Sequence, residues 1–312
     1  MVKLTDIAQH LGLSVTTVSY SLNNDQRIPP STRQKVIDAA RELGYVGKSG
    51  RARSSDYLKQ IVLCVNSISG GIYDEIVTEM KSTLNLNDCE LMIYVGSNIT
   101  RLKWLDGLIV LNSRVSNDDI KKIANRRIPV VLMDRETRID NVSNITANNF
   151  DGCYRTTRHA IEAGAKTFAF IGGPKDSFGS HYRYDGFCKA LADSKMSAGS
   201  VLVLHTDFSY DGGLKACRFI IQQSQLPDAI ICANDETAMG ILRGLKLGFV
   251  KKEIIVTGFD GVAQKDDYYR FVTAKVDRKY WAATAVYALN KKFENGTDQY
   301  IQIPIQTVDF NY

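Results

Sequence analysis

Few residues in this chain are spaced for covalent chemistry. The four histidines (10, 159, 181, 205) show no metal-binding spacing, and the six cysteines (64, 89, 153, 188, 217, 232) include no Cys-x-x-Cys pair. That usage reads as buried thiols in a reducing cytosol rather than a zinc site or a disulfide framework. There is no Gly-x-Ser-x-Gly elbow, and Ile171-Gly172-Gly173-Pro174 lacks the later glycines of a dinucleotide fingerprint. Gly47-Lys48-Ser49 mimics the tail of a phosphate loop, but Glu42 stands where its first glycine belongs. No enzyme activity, metal or cofactor is expected.

Two sets of side chains suit binding instead. Arg183 opens a helical stretch, while Asn234 and Asp260 fall at the ends of strand-like runs. An arginine fork beside carboxylate and carboxamide acceptors suits vicinal hydroxyls, as on a sugar ring. The plainer readings are an ion pair of Arg183 with Asp185, and Asn234-Asp235 capping the helix that follows. Near the N-terminus, Val15, Thr16 and Tyr20 fall outside the Val18–Leu22 stripe of a short helix and face outward.

The elements that must carry these residues follow from periodicity. Leu4, Ile7, Ala8 and Leu11 form one helical stripe, Gly12 breaks it, and Ser14 caps a second helix of about 15–22. A third helix starts after Pro29-Pro30 and carries Val36, Ala40 and Leu43 on one side. Two short helices joined by a glycine turn and braced by a third is a helix-turn-helix layout, although an ordinary three-helix cap fits the periodicity equally. Residues 1–60 hold nine basic and five acidic side chains, which is most of the chain's net charge of +5. A basic head on a near-neutral body points to a polyanion partner for the head.

From residue 60 onward strand runs (60–65, 90–95, 107–111, 129–133, 167–172, 200–205, 228–233, 254–258, 300–305) alternate with helical stretches (73–86, 117–126, 149–163, 181–194, 210–223, 235–247, 278–294). That alternation predicts two parallel sheets wound on both faces, with a cleft beyond the carboxyl ends of their strands. With 312 residues, 44% apolar and 23% charged, the composition is that of a folded globular protein. The longest apolar run, Ile61–Val65, is far short of a membrane span and no secretory signal is seen, so a cytoplasmic location is expected.

The wording of the head, Leu4-Thr5-Asp6-Ile7-Ala8, Gly12-Leu13-Ser14, Thr17-Val18-Ser19, Leu22-Asn23, Thr32-Arg33 and Leu43-Gly44-Tyr45, closely resembles the DNA-binding headpiece of the LacI/GalR family. The body matches the same family, whose regulatory half is similar to periplasmic sugar-binding proteins. The matching segments are Asp106-Gly107-Leu108-Ile109, Pro129 to Arg135, Phe170 to Pro174, Arg183-Tyr184-Asp185-Gly186-Phe187, Ala233-Asn234-Asp235, Ala238-Met239-Gly240 and Gly258-Phe259-Asp260. The resemblance implies that α-helix 15–22 lies in the major groove with Val15, Thr16 and Tyr20 reading bases. Methyl groups can touch thymine and the Thr16 and Tyr20 hydroxyls can bond base edges. Ser14, Ser19 and Asn23, with helix N–H groups, can hold phosphates. It also implies effector contacts at Arg183, Asn234 and Asp260, an aromatic stack at Phe208, and further contacts at Asp151 and Tyr73. Core packing is the plainer role for Phe208 and Tyr73.

Four departures from the family pattern stand out. Tyr20 occupies a position where many relatives carry Arg, so the operator should differ from the commonest half-site. Residues 46–58 read as a basic linker whose Arg51 and Arg53 touch phosphates, with Ser54 where relatives place a Leu wedge. Only eight residues, Asn98 to Leu105, stand where relatives have a full helix, so that subdomain should be one helix short. No heptad tail follows the last strand run, so a dimer rather than a coiled-coil tetramer is expected. The expected organisation is a head (1–45), a hinge (46–59) and a body (60–312). The body divides into subdomains of about 60–163 plus 278–300 and about 164–277 plus the C-terminus. The function these features imply is a homodimeric repressor on a pseudo-palindromic operator, switched allosterically by a small ligand, a sugar. A purine co-repressor is the alternative, and a solute-binding receptor without a DNA role the third reading.

Overall fold

The structure, a computed structural model, describes residues 2–22, 25, 27–43, 45, 58–66, 68, 71–84, 89–102, 105–133, 135–197, 201–262 and 271–309. It divides into two compact units, Met1–Leu58 and Lys59–Tyr312. The expectations for Asn23, Arg51, Arg53, the Ser54 wedge position and the linker 46–57 lie outside the described residues.

The head holds α1 (Leu4–Leu11), α2 (Val15–Leu22) and α3 (Pro30–Glu42). Asp6 accepts the Lys3 N–H at 2.8 Å and Ser14 Oγ accepts the Thr17 N–H at 3.0 Å, so a side chain supports the start of each of the first two helices. Gly12, at φ +64°, supplies the left-handed residue that ends α1 and turns the chain. Ile7, Ala8, Val18, Val36, Ala39, Ala40 and Tyr45 form the buried core, with Leu4, Leu11, Leu22 and Leu43 packed around it. The periodicity therefore resolves as a helix-turn-helix head.

In the body, β1 (Lys59–Val65), β2 (Cys89–Val95), β3 (Gly107–Leu111), β4 (Val130–Leu132), β5 (Val142–Ala147) and β11 (Tyr300–Ile303) make one sheet. A second sheet holds β6 (Phe168–Gly172), β7 (Leu202–His205), β8 (Ala229–Cys232), β9 (Ile255–Asp260), β10 (Val272–Val276) and β12 (Ile305–Asp309). The spatial orders are 11-5-4-3-1-2 and 12-10-9-8-6-7, so the first five strands of each follow the 2-1-3-4-5 doubly wound pattern. Every neighbouring pair is parallel except β12, which runs antiparallel to β10. The helices are α4 (Gly71–Thr83), α5 (Asn117–Asn125), α6 (Asn149–Glu162), α7 (Phe178–Asp193), α8 (Tyr210–Ile220), α9 (Asp235–Leu247) and α10 (Arg278–Asn295).

The unbroken apolar run of β1 is explained by burial on both faces. Ile61, Leu63 and Val65 join Ile76 and Met80 of α4 and Leu289 of α10, while Val62 and Cys64 join Ile120 and Ile123 of α5. Among the described residues no helix is long and apolar enough to cross a membrane.

The structure corrects several expectations. The run 300–305 is not one strand. Pro304, which has no N–H to donate, separates β11 in the first sheet from β12 in the second. Strands β5 and β10 were not anticipated. Helix α6 does not belong to the first subdomain, as a boundary at 163 would require. It packs on α7, β9, β10 and β12, and its Cys153 and Ala160 enter the second subdomain's core. The crossing between subdomains therefore falls at Asn148. Between β2 and β3 the described residues hold only a 3-10 turn, Ile99–Arg101, and Met92, Ile93 and Val95 on β2 are exposed.

Candidate ligand cleft and DNA-reading helix

A cavity of about 260 Å³ opens at the carboxyl ends of both sheets. Asn66 follows β1, Ser113 follows β3, Asn234 follows β8 and Asp260 ends β9, so loops from both subdomains converge on it. Tyr73, Arg183, Phe208, Asn234 and Asp260 all line it. Asp151 does not. Its carboxylate pairs with Arg155 at 2.8 Å one turn along α6. Residues two positions apart on a helix lie about 200° apart around its axis, so it is Asn149, not Asp151, that faces the cavity.

Arg183 is the centre of the site. Its side chain is 13% exposed, and its guanidinium lies 3.7 Å over the Phe259 ring. Nε donates to Asn149 Oδ1 at 2.9 Å, one terminal nitrogen donates to the Ala233 carbonyl, and the other stands 3.8 Å from Asp260 Oδ1. The carboxylate facing it is thus Asp260 rather than Asp185. Burial pushes the Asp260 carboxyl up to about 6, because desolvation outweighs the attraction of Arg183 and then Arg278.

Asn234 is committed within the protein. Its Oδ1 caps α9 by accepting the Thr237 N–H at 3.2 Å, and its Nδ2 donates to the Phe208 carbonyl at 2.8 Å. It therefore positions Phe208, which takes φ +65° and lays its ring against Gly173. A Cβ at Gly173 would lie 2.0 Å from that ring, so the glycine makes the seat. Asp235 is buried beneath the loop after β9, accepting from Thr273 Oγ1 at 2.6 Å and the Val262 N–H at 2.7 Å. Burial, and then the nearby Asp260, push its carboxyl well above the usual range.

Sequence reasoning missed four groups that shape the cavity. Asn149 orients Arg183, and its place just after the Asn148 cap is the only hint of that role. Trp281 on α10 lines the wall and donates its indole N–H to the Ile145 carbonyl at 2.6 Å. Arg278, 7% exposed, takes both oxygens of Glu75 on α4 at 3.0 Å and donates to the Asp260 carbonyl at 2.7 Å. That bridge spans the two subdomains and holds the backbone of Asp260, whose φ is +110°. The Arg278 guanidinium in turn holds the Glu75 carboxyl below its ordinary value.

In the head, Val15, Thr16 and Tyr20 are exposed while Val18 is buried, so α2 presents those three side chains together on its outer face. Ser14 is exposed at the helix start and Ser19 is half-buried. The Tyr20 ring carries the Arg27 guanidinium 4.4 Å from its centroid.

Comparison with known proteins agrees with both units. Residues 3–47 match the model of bacterial regulatory proteins of the lacI family. Residues 98–291 match that of periplasmic binding proteins and the sugar-binding domain of the LacI family. The HTH-type transcriptional repressor PurR of Actinobacillus pleuropneumoniae is 26% identical over 324 residues, covering 100% of this chain and 96% of that protein. Among solved structures, the transcriptional regulator CelR–cellobiose complex superposes with a TM-score of 0.72 at 22% identity, covering 100% of both chains. The lac repressor dimer bound to operator and the anti-inducer ONPF gives 0.73 at 21% identity, covering 98% of this chain and 97% of that one. A helix-turn-helix head and a two-sheet body with a polar cleft therefore place the chain in the LacI family, as a ligand-switched, DNA-binding repressor of transcription.

Proposed function

We propose that the protein binds a pseudo-palindromic operator as a homodimer and that a neutral, polyhydroxylated ring in the cleft sets its operator affinity. The observation that carries the ligand class is the buried Arg183–Asp260 pair in a cavity also lined by Tyr73, Phe208 and Trp281. Arg183 already faces a carboxylate, so the pair offers donors and an acceptor to hydroxyls rather than a net charge to an anion. Aromatic walls suit the apolar face of a sugar, and about 260 Å³ suits one ring rather than a long oligomer. A purine base is the second reading, since its flat face suits the Phe208 ring. The CelR complex with cellobiose supports the sugar reading.

On DNA, Val15, Thr16 and Tyr20 read bases, and Ser14, Ser19, Asn23, Arg51 and Arg53 hold phosphates. A two-fold dimer matches a two-fold operator. The ligand acts by favouring one closure state of the cleft, and a coupling of about 1–3 kcal/mol changes operator affinity roughly 5- to 150-fold. The test pairs two measurements on the full chain. A thermal-shift panel of neutral sugars and purine bases finds the ligand, which at 100 times its Kd adds about 2.7 kcal/mol. Titration of duplexes from the chain's own upstream region then reads affinity with and without it. Absence of salt-sensitive binding to any of these duplexes refutes the regulator reading. Stabilisation by purines and by no sugar moves the ligand class to the second reading.

A further inference from the structure

The exposed face of α2 carries Val15, Thr16 and Tyr20, none of which has the paired donors that recognise guanine. A guanidinium is nevertheless supplied to that face from the turn that follows the helix. Arg27, with a side chain 69% exposed, lays its guanidinium over the Tyr20 ring. Its orientation is fixed twice over. Nε donates to Asp25 Oδ1 at 3.0 Å and Nη2 to Asp25 Oδ2 at 2.7 Å, while the Arg27 N–H donates to the same Oδ1 at 3.0 Å.

We propose that Arg27, stacked on Tyr20 and buttressed by Asp25, is the guanine-reading residue of this protein. The inference rests on the operator-binding reading of the head. Asp25 occupies the Nε edge of the guanidinium, so the terminal edge, Nη1 with the second Nη2 hydrogen, points away from it. That edge is the pair of parallel donors that matches guanine O6 and N7. A phosphate contact gives no reason for the same construction. A phosphate oxygen is met by a cation in many orientations, and a carboxylate beside the cation repels the phosphate. Reading a base edge needs a fixed plane, and a side chain already held in place loses less conformational freedom on binding. Tyr20 thus acts in recognition as a platform for Arg27 as well as through its own hydroxyl.

The test is selection by the full chain from a pool of duplexes randomised over about two helical turns, followed by sequencing of the bound fraction. Wild type is expected to enrich a motif with a guanine at one fixed position of each half. Exchanging that G·C pair for A·T in the selected duplex should weaken wild type roughly 5- to 150-fold and leave Arg27→Ala indifferent. Arg27→Lys, which keeps the charge without the fork, should lose the preference as Arg27→Ala does, and Asp25→Asn should relax it. Unchanged thermal midpoints of these surface variants show that the head remains folded. The proposal is overturned if Arg27→Ala weakens all duplexes alike and keeps the guanine preference, with a salt slope lowered by about 1.8, because that is one phosphate contact from each protomer. A wild-type pool with no enriched motif overturns the operator-binding reading itself, and this inference with it.

Discussion

Asp260→Asn gives the sharpest test of the cleft's electrostatics. In the folded chain the Asp260 carboxyl titrates near 6, against an ordinary value of 3.8. Burial causes the rise, and the opposing attraction is partial because the nearest Arg183 nitrogen stands 3.8 Å away. A carboxyl with a raised folded value binds its proton more tightly in the native state than in the unfolded one. Its stabilising contribution is complete below about pH 3.8 and is lost as the pH rises through about 6. The gap corresponds to about 3 kcal/mol. The unfolding free energy of wild type minus that of Asp260→Asn should therefore fall by about 2 kcal/mol of this gap between pH 4 and pH 7, the unfolded carboxyl being already more than half ionised at pH 4. Most of the change lies between pH 4 and 6. Urea unfolding of the full chain at a series of pH values, followed by circular dichroism, measures it. A difference that stays flat, or grows with pH, refutes the reasoning. Growth would mean that Arg183 and Arg278 stabilise the anion more than burial penalises it. A ligand hydroxyl donating to the carboxylate should pull the titration downward, so ligand affinity should weaken as the pH drops below 6.

Other perturbations follow from the packing and the charges. Glu75→Gln leaves the buried Arg278 without its counter-charge and should lower body stability by about 1 kcal/mol, a figure kept small because Glu75 is half exposed. Glu75 titrates below its ordinary 4.5, so this contribution is present above about pH 4.5 and lost as the pH falls through its folded value. Thermal unfolding at pH 7 and pH 3 should show a smaller wild-type advantage at pH 3 than at pH 7. Gly186→Ala places a Cβ 2.2 Å from the Phe150 carbonyl oxygen, where α6 and α7 touch through their backbones, and should cost about 3 kcal/mol by denaturant unfolding. Converting Arg51 and Arg53 together to Ala removes four phosphate contacts from the dimer and should flatten the plot of log affinity against log salt by about 3.6 in slope, measured by anisotropy on one duplex.

The sequence was most legible where one physical demand sets the pattern. The helices of the head show in the spacing of Ile7, Ala8, Val18 and Val36, and the paired sheets show in β-branched runs buried on both faces. Strand β5 was hidden because its buried Ser143, Asn144 and Thr146 do not look like core, although Asn144 and Ser143 are satisfied by the Thr137 and Gln299 backbone. Only the separate pairings of β11 and β12 reveal what Pro304 divides. In the site, Asp260 was readable from a strand end, whereas Arg183, expected to open a helix, stands in the second turn of α7, which begins at Phe178. The roles of Asn149, Arg278 and Trp281 depend on contacts between residues far apart in the chain, such as the hydrogen bond from Arg278 to Glu75, which no local spacing encodes. Asp151 was assigned through the resemblance; the start of its helix was read correctly at 149, but which side of α6 meets the cavity is set by its packing on α7 and the second sheet.

Regulation requires one coupling, between ligand in the cleft and DNA on the head. The direct measurement is the affinity of the full chain for its selected duplex at fixed salt, with and without the sugar or purine that stabilises the body. A change of at least about 5-fold, abolished in Arg183→Ala, is the predicted result. Equal affinity at saturating ligand, in a protein that binds both partners, would contradict the claim.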